Sequence, residues 1–126
     1  MSQKHINFCS LDLVNTKNNL NNLIDIYNFL DGLYSLNISM VQIHKPVLVP
    51  YYYGKVHEDC GVSCFSVFDG GYLTLHIFEK RNIAYFDVMS CVKFDENKFV
   101  NEVCKFCGTK NVNLNTNLVK SNSTPK

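Results

Sequence analysis

The sequence predicts an α+β fold, a two-layer sandwich in which two helices cover one face of a mostly antiparallel sheet. Three observations predict it. Several segments with strand character follow one another through short turns, as in an antiparallel meander. Two other segments carry apolar residues at three- and four-residue steps, which is typical of amphipathic helices. With 46% apolar residues among 126, the chain can form one core but is short for two domains.

The first half of the chain contains two predicted strands with a helix between them. Residues 4–12 and 37–44 have strand character. The helix is predicted over residues 15–35, with Asn15 or Thr16 as its cap. Its apolar face is expected to consist of Leu20, Leu23, Ile24, Tyr27, Leu30 and Tyr34.

An irregular stretch, residues 45–61, separates the two halves. It has two prolines, two glycines and three consecutive tyrosines, a composition typical of a functional loop. The strands of the meander follow, at residues 62–68, 72–78 and 83–91.

A second helix is predicted over residues 95–107, with Asp95 as its N-cap and Gly108 as its C-terminal stop. Its buried face is expected to consist of Phe99, Val100, Val103 and Phe106. Residues 111–119 form the last strand. We therefore expect one domain at 1–119 and a disordered tail at 120–126.

Composition excludes several classes of function. The net charge of +1 gives no basic surface for nucleic acid, so no DNA partner is expected. The first fifteen residues lack the apolar stretch of a signal peptide, and no run of apolar residues is long enough to span a membrane. The six cysteines are then expected to be free thiols in a cytoplasmic protein.

Three short motifs lie in one register in the meander. They are GVS at 61–63, YLTLH at 72–76 and AYFDVMSC at 84–91. They resemble the G-V-S, H-[LI]-[ST]-I-H and A-A-[IV]-D-[LV]-F-T-C motifs of the prokaryotic S-adenosylmethionine decarboxylase family. The spacing fits that family without a gap, and the resemblance covers about residues 4 to 118.

The resemblance implies a divergent member of that family. Its enzymes convert the serine of an E-S-H triplet into a pyruvoyl cofactor by splitting their own chain. Here the triplet falls on Gly70, Gly71 and Tyr72, and the serine position is Gly71. Glycine has no hydroxyl, so no pyruvoyl group can form, and decarboxylation by the family's route is excluded. We therefore expect no cofactor.

The resemblance also assigns catalytic positions. Ser63 and His76 correspond to residues that assist self-processing, and Cys91 to the cysteine that protonates the product. Each also has a structural interpretation, as a strand cap, a satisfied core histidine and a small buried hydrophobe. Their joint register favours a retained site.

Candidate ligand-binding residues lie around this register. His57 stands where the family has an aromatic residue that stacks on adenine. Lys80, preceded by Glu79, replaces the glutamate that holds the ribose hydroxyls; a lysine suits a phosphate better. The alternative is that EKRN is a solvated turn. Aromatic side chains are expected to surround the sulfonium, with Phe8, Tyr72 and residues Tyr51, Tyr52 and Tyr53 as candidates.

Two hypotheses of function follow, with a sulfonium nucleoside as ligand and a homo-oligomer, by analogy a homodimer, as the assembly. The first is a cofactor-free lyase of S-adenosylmethionine or of its adenylated conjugate, a signal molecule of some type III CRISPR systems. The alternative is a non-catalytic paralogue that binds such a ligand or regulates an active decarboxylase. A zinc site at His57, Cys60 and Cys64 is disfavoured by its spacing, and one at Cys104 and Cys107 by its position in the last turn of an amphipathic helix, so no metal is expected.

Overall fold

The computed structural model describes residues 4–17, 20–36, 39–52, 55–56 and 60–121. Its elements are β1 (Lys4–Val14), α1 (Leu23–Leu33), β2 (Gln42–Tyr52), β3 (Gly61–Phe68), β4 (Gly71–Phe78), β5 (Ile83–Ser90), α2 (Glu96–Cys107) and β6 (Val112–Ser121). A short 3₁₀ turn, Glu79–Arg81, joins β4 to β5.

The six strands form one sheet in the order β2-β3-β4-β5-β1-β6. Every neighbouring pair is antiparallel, which confirms the predicted α+β class. The first strand lies between β5 and β6, so the first and last strands of the chain pair with each other at one side of the sheet, with β6 as the edge strand.

The core lies between one face of the sheet and the two helices. Alternate residues of each central strand are buried there, such as Leu73 and Leu75 of β4. The Phe86 ring of β5 makes edge contacts with Phe29 of α1 and Phe99 of α2, at centroid distances of 6.2 and 6.5 Å. Because both helices pack on this face, no helix in the described part of the chain covers the other face of the sheet.

The first helix begins later than predicted. Its N-cap is Asn22, whose Oδ1 accepts a hydrogen bond from the backbone of the third residue after it, at 3.1 Å. The predicted caps fail because the backbone N–H groups of Thr16 and Lys17 already bond to the carbonyls of residues 82 and 107. The predicted apolar face is also partly wrong: Ile24 is 71% exposed, whereas Ile26 is buried.

The second strand is displaced from its predicted position. It spans Gln42–Tyr52, so the first part of the predicted irregular loop is a strand. An edge strand tolerates Pro46 and Pro50, because proline lacks only the N–H that an inner strand would use. The irregular composition appears instead as three shifts of register against β3.

The predicted bounds and caps of the second helix are confirmed, whereas its predicted buried face is partly wrong: Val100 and Phe106 are half-buried, and Cys107 is buried instead. Asp95 Oδ1 accepts the backbone N–H of Lys98 at 3.1 Å, and Gly108 ends the helix with a positive φ of 69°. The buried residues are Phe99, Val103 and Cys107. The last strand reaches Ser121, two residues past its predicted end. The division into one domain and a tail stays a prediction, and residues 122–126 lie outside the described ones.

Candidate functional site

The turn between β3 and β4 is built around two glycines with different roles. Gly70 has a φ of 91°, so it supplies the left-handed conformation that the turn requires. Gly71 is already the first residue of β4, paired with Phe68 and Ser90. A Cβ at Gly71 would lie 1.9 Å from the carbonyl oxygen of Met89, so this backbone has no space for any side chain there.

Ser63 and His76 form a direct pair. They are opposite each other on β3 and β4, and Ser63 Oγ lies 2.7 Å from His76 Nδ1. Both are half-buried on the sheet face opposite the helices. The bond orients the imidazole and leaves Nε2 as the nitrogen available to a ligand. These two predicted site residues are therefore brought together, as their register required.

The row that contains this pair continues across the sheet. His76 pairs with Tyr85 of β5, and Tyr85 pairs with Asp12 of β1. Directly opposed residues of an antiparallel sheet face the same side at about 5 Å. Tyr85 and Asp12 were not among the predicted site residues. Alternation along each strand could have placed them on the same face, but the register between β1 and β5 is not written in either segment.

A second row, nearer the Gly70–Gly71 turn, is apolar. Phe8 of β1 and Tyr72 of β4 both pair with Met89 of β5. Phe8 is 39% and Tyr72 41% exposed, so their ring surfaces are accessible on the open face. The two predicted aromatic contacts thus flank one methionine side chain and form an apolar surface for a ligand.

A polar row lies between these two. Asp87 of β5 pairs with Thr74 and with Ser10, and Ser10 Oγ donates a hydrogen bond of 2.7 Å to Asp87 Oδ1. Together with Asp12, this gives the open face two carboxylates. Such a face attracts a cationic ligand.

Cys91 lies apart from the Ser63–His76 pair. Its backbone N–H donates to the carbonyl of Gly70 at 2.8 Å, so it adjoins the glycine turn. His76 is five residues further along β4, which at the rise of a strand is about 17 Å. Within one chain, the exposed Cys91 thiol and the imidazole are at opposite ends of the face.

The predicted ribose-contacting residues bind each other. Lys80 Nζ lies 3.3 Å from Glu79 Oε1, with the Lys80 side chain 49% exposed. Both belong to the 3₁₀ turn that follows β4, at the His76 end of the strand. An exposed ion pair of this kind is weak, so a ligand anion can compete for the lysine.

The connection between β2 and β3 lies at this same end of the sheet, since Tyr52 pairs with Gly61. Tyr53 and His57, two predicted contacts, fall outside the described residues. The side chains of Tyr51 and Tyr52 are likewise not among those described.

The cysteines next to the core are protonated. Burial raises the pKa of the Cys64 and Cys107 thiols to about 12, and it raises the pKa of Cys104 as well. In the described part of the chain, no three His, Cys, Asp or Glu side chains are placed to hold a metal ion.

The comparisons with known proteins agree with this fold. A family model described as S-adenosylmethionine decarboxylase matches residues 9–118. The chain belongs to the S-adenosylmethionine decarboxylase family. The crystal structure of the adenosylmethionine decarboxylase from Aquifex aeolicus VF5 has a similar fold, with a TM-score of 0.67 and 12% identity over 100% of this chain and 97% of that one. No curated protein matches the sequence.

The range that the family model matches includes most of the candidate site. The Ser63–His76 pair, Cys91 and the turn at Gly71 all lie inside the matched range, and Phe8 lies one residue before it. Among the described residues, none of the helices is both long and apolar enough to cross a membrane.

Proposed function

We propose that this chain is a cofactor-free lyase that cleaves the sulfonium of S-adenosylmethionine or of its adenylated conjugate. The observation that carries the proposal is the combination of an oriented Ser63–His76 pair with a glycine turn that has no room for a side chain. The pair supports retained ligand chemistry. The turn argues against the family's own cofactor.

A pyruvoyl group does not fit the residues present. In the register of the resemblance its precursor serine falls on Gly71, which has no hydroxyl to attack the preceding peptide bond. The strand geometry adds a second obstacle, because a Cβ there would overlap the Met89 carbonyl at 1.9 Å. A pyruvoyl carbonyl therefore has no part in the proposed reaction.

A sulfonium can break without a cofactor. The substrate's own carboxylate attacks its γ-carbon, the carbon–sulfur bond breaks, and the electron pair goes to sulfur. The products are homoserine lactone and the neutral thioether methylthioadenosine, so no water or proton is consumed. The protein must hold the methionine arm folded, which is a proximity effect. An alternative route removes a proton from the arm, with His76 as the base.

The open sheet face offers suitable surroundings for this reaction. The rings of Phe8 and Tyr72 provide aromatic surface for the sulfonium while it is charged. They do not oppose the loss of that charge as strongly as a carboxylate would. Asp87 and Asp12 attract the cationic ligand, and efficient cleavage favours a sulfonium that rests against the rings rather than against these carboxylates.

We propose a homo-oligomer in which one site draws on two copies. A single chain separates Cys91 from His76 by about 17 Å along β4. If both residues contact one ligand, they come from different copies whose open faces meet. The exposed apolar side chains of that face, including Phe65 and Tyr85, would be covered in such an assembly.

The proposal that the adenylated conjugate is the substrate depends on Lys80. Its partner Glu79 partly neutralises it, so the lysine must exchange that carboxylate for the phosphodiester of the conjugate. A Lys80→Glu variant tests the preference directly. If the conjugate is the substrate, the variant loses activity on it and retains activity on free S-adenosylmethionine.

The decisive assay incubates the purified chain with each substrate and identifies products by mass spectrometry. We expect homoserine lactone and the thioether nucleoside, and a loss of about a hundredfold or more in His76→Ala, because the methionine arm is then no longer held in the folded pose that the reaction needs. His44→Ala is the matched control, because His44 is exposed on β2 and, among the described residues, its imidazole bonds to the neighbouring carbonyl of Lys45. No turnover of either substrate refutes the lyase. Binding with full recovery of the ligand would instead identify a non-catalytic binding protein.

A further inference from the structure

The two edges of the sheet are built differently. The β2 edge contains Lys45, Pro46 and Pro50 and pairs with β3 through three shifts of register. Lysine, proline and bulges are the devices that prevent an edge strand from pairing with another chain. The central part of the β6 edge has none of them, since residues 112–119 contain no charge and no proline and pair with β1 in unbroken register; the lysine of this strand lies near its end, at position 120.

The β6 edge also exposes leucines on the side where the helices lie. Leu114 is 41% and Leu118 61% exposed, although Leu114 pairs with the fully buried Leu11. Both side chains are therefore incompletely covered by the described part of the chain. An open groove of about 580 Å³, lined by Val100 and Cys104 of α2 and by Val112 of β6, lies beside this edge. At this edge of the sheet, apolar side chains on the helix side are therefore incompletely buried.

We propose that β6 pairs with β6 of a second copy, antiparallel about a two-fold axis at Thr116. Such pairing satisfies the unpaired backbone groups of both edges and extends the sheet across the two copies. With the axis at Thr116, Leu114 of each copy stands opposite Leu118 of the other, on the helix side. The leucines then cover one another as two pairs, one on each side of the axis. The asparagines at 113, 115 and 117 lie on the other face of the sheet.

Charge selects this register. Lysines frame the neutral strand at positions 110 and 120. An axis at Asn115 would set position 110 opposite position 120, so that like charges meet at both ends. The axis at Thr116 moves position 120 opposite Val112 and keeps the longest overlap that avoids this conflict. A register shift of one residue between the two strands would instead place the leucines of the two copies on opposite faces of the sheet.

The contact is small. The nine paired residues of each strand, 112 to 120, span about 27 Å, and one strand edge buries much less than the roughly 1,600 Å² of a standard interface. The association therefore depends on protein concentration. It is independent of any contact through the open sheet face, so it doubles whatever assembly that face forms.

Sedimentation velocity over a wide concentration range tests the association. The mass of the native chain is expected to double at high concentration, and Leu118→Lys to weaken the doubling on the order of a hundredfold, because the charge enters the interface twice. Ile43→Lys is the matched control, since Ile43 is 63% exposed on the opposite edge strand. Equal effects of the two variants, or no doubling in the native chain, overturn the proposal.

A cysteine scan tests the register. Across the axis, Thr116→Cys brings two copies of one residue to about 4.5 or 5.5 Å between Cα atoms, within the range of a disulfide. In a Cys9→Ala background, which removes the thiol that pairs with position 116 on β1, mild oxidation is expected to link position 116 to itself, as read from the linked peptide by mass spectrometry. Asn115→Cys, one position away, is expected not to link to itself. A link at 115 without one at 116 refutes this register.

Discussion

Replacing Gly71 by serine would restore the residue type from which the family forms its cofactor, yet we expect it to damage the protein. The built Cβ would meet the Met89 carbonyl oxygen at 1.9 Å and the Phe68 ring at 2.9 Å. The first contact is with backbone, so a rotamer change cannot relieve it. Strands β4 and β5 must separate where Gly71 pairs with Ser90.

The expected cost follows from these contacts. Overpacking a core position costs about 1–3 kcal/mol, and each ladder hydrogen bond lost adds roughly 1 kcal/mol. The sum is about 3 kcal/mol. For a domain of this size, that lowers the melting temperature by roughly 10 °C. The serine is therefore not held in a geometry that permits attack on the preceding peptide bond.

Thermal unfolding and intact mass measure the two consequences. Gly71→Ser and Gly71→Ala are expected to lose similar stability, because the Cβ rather than the hydroxyl causes the overlap. Gly32→Ala is the matched control: nothing lies within 4 Å of its Cβ, and alanine is expected to stabilise α1 by about 0.5–1 kcal/mol. A Gly71→Ser variant as stable as the native chain, or one that splits into two fragments, would refute this reasoning.

Two further predictions concern stability. Asp95→Ala removes the N-cap bond to Lys98 and is expected to cost about 1 kcal/mol in chemical denaturation, whereas Asp95→Asn keeps most of it. The pKa of Cys9, Cys64 and Cys107 is raised from 9.0 to about 12 by burial, so unfolded thiols ionise first and stability is lost as pH rises above 9. The loss approaches 1.4 kcal/mol per thiol and pH unit; Cys107→Val should lessen it, and an unchanged pH dependence would contradict the assignment.

Local signals in the sequence predicted the elements that depend on nearby residues. The second helix was predicted with its caps because Asp95 and Gly108 act within one turn of it. The first helix was misplaced because bonds from Thr16 and Lys17 to distant residues hold the preceding segment. Tertiary contacts of this kind leave no mark on periodicity. The same limitation explains β2, whose prolines indicated a loop until its position at the sheet edge was known.

The candidate site shows a similar division. The pairing of Ser63 with His76 could be predicted, because a short turn fixes the register between β3 and β4. The contribution of Asp12 and Ser10 could not, since β1 joins β5 across most of the chain. The motif assigned Cys91 to the candidate site, but its separation from the Ser63–His76 pair was not predicted. Motif spacing places it beside the glycine turn only once the strands are paired.

The place of β1 in the sheet has a consequence for synthesis. Its partners in the sheet are β5 and β6, which begin at Ile83 and Val112. A ribosome releases the first strand long before either partner, so its apolar residues stay uncovered while the middle of the chain emerges. The β3–β4–β5 meander can form first from local pairings, and closure of β1 onto it carries the long-range entropy cost. We expect that docking to be the slow step of folding and the stage most exposed to aggregation.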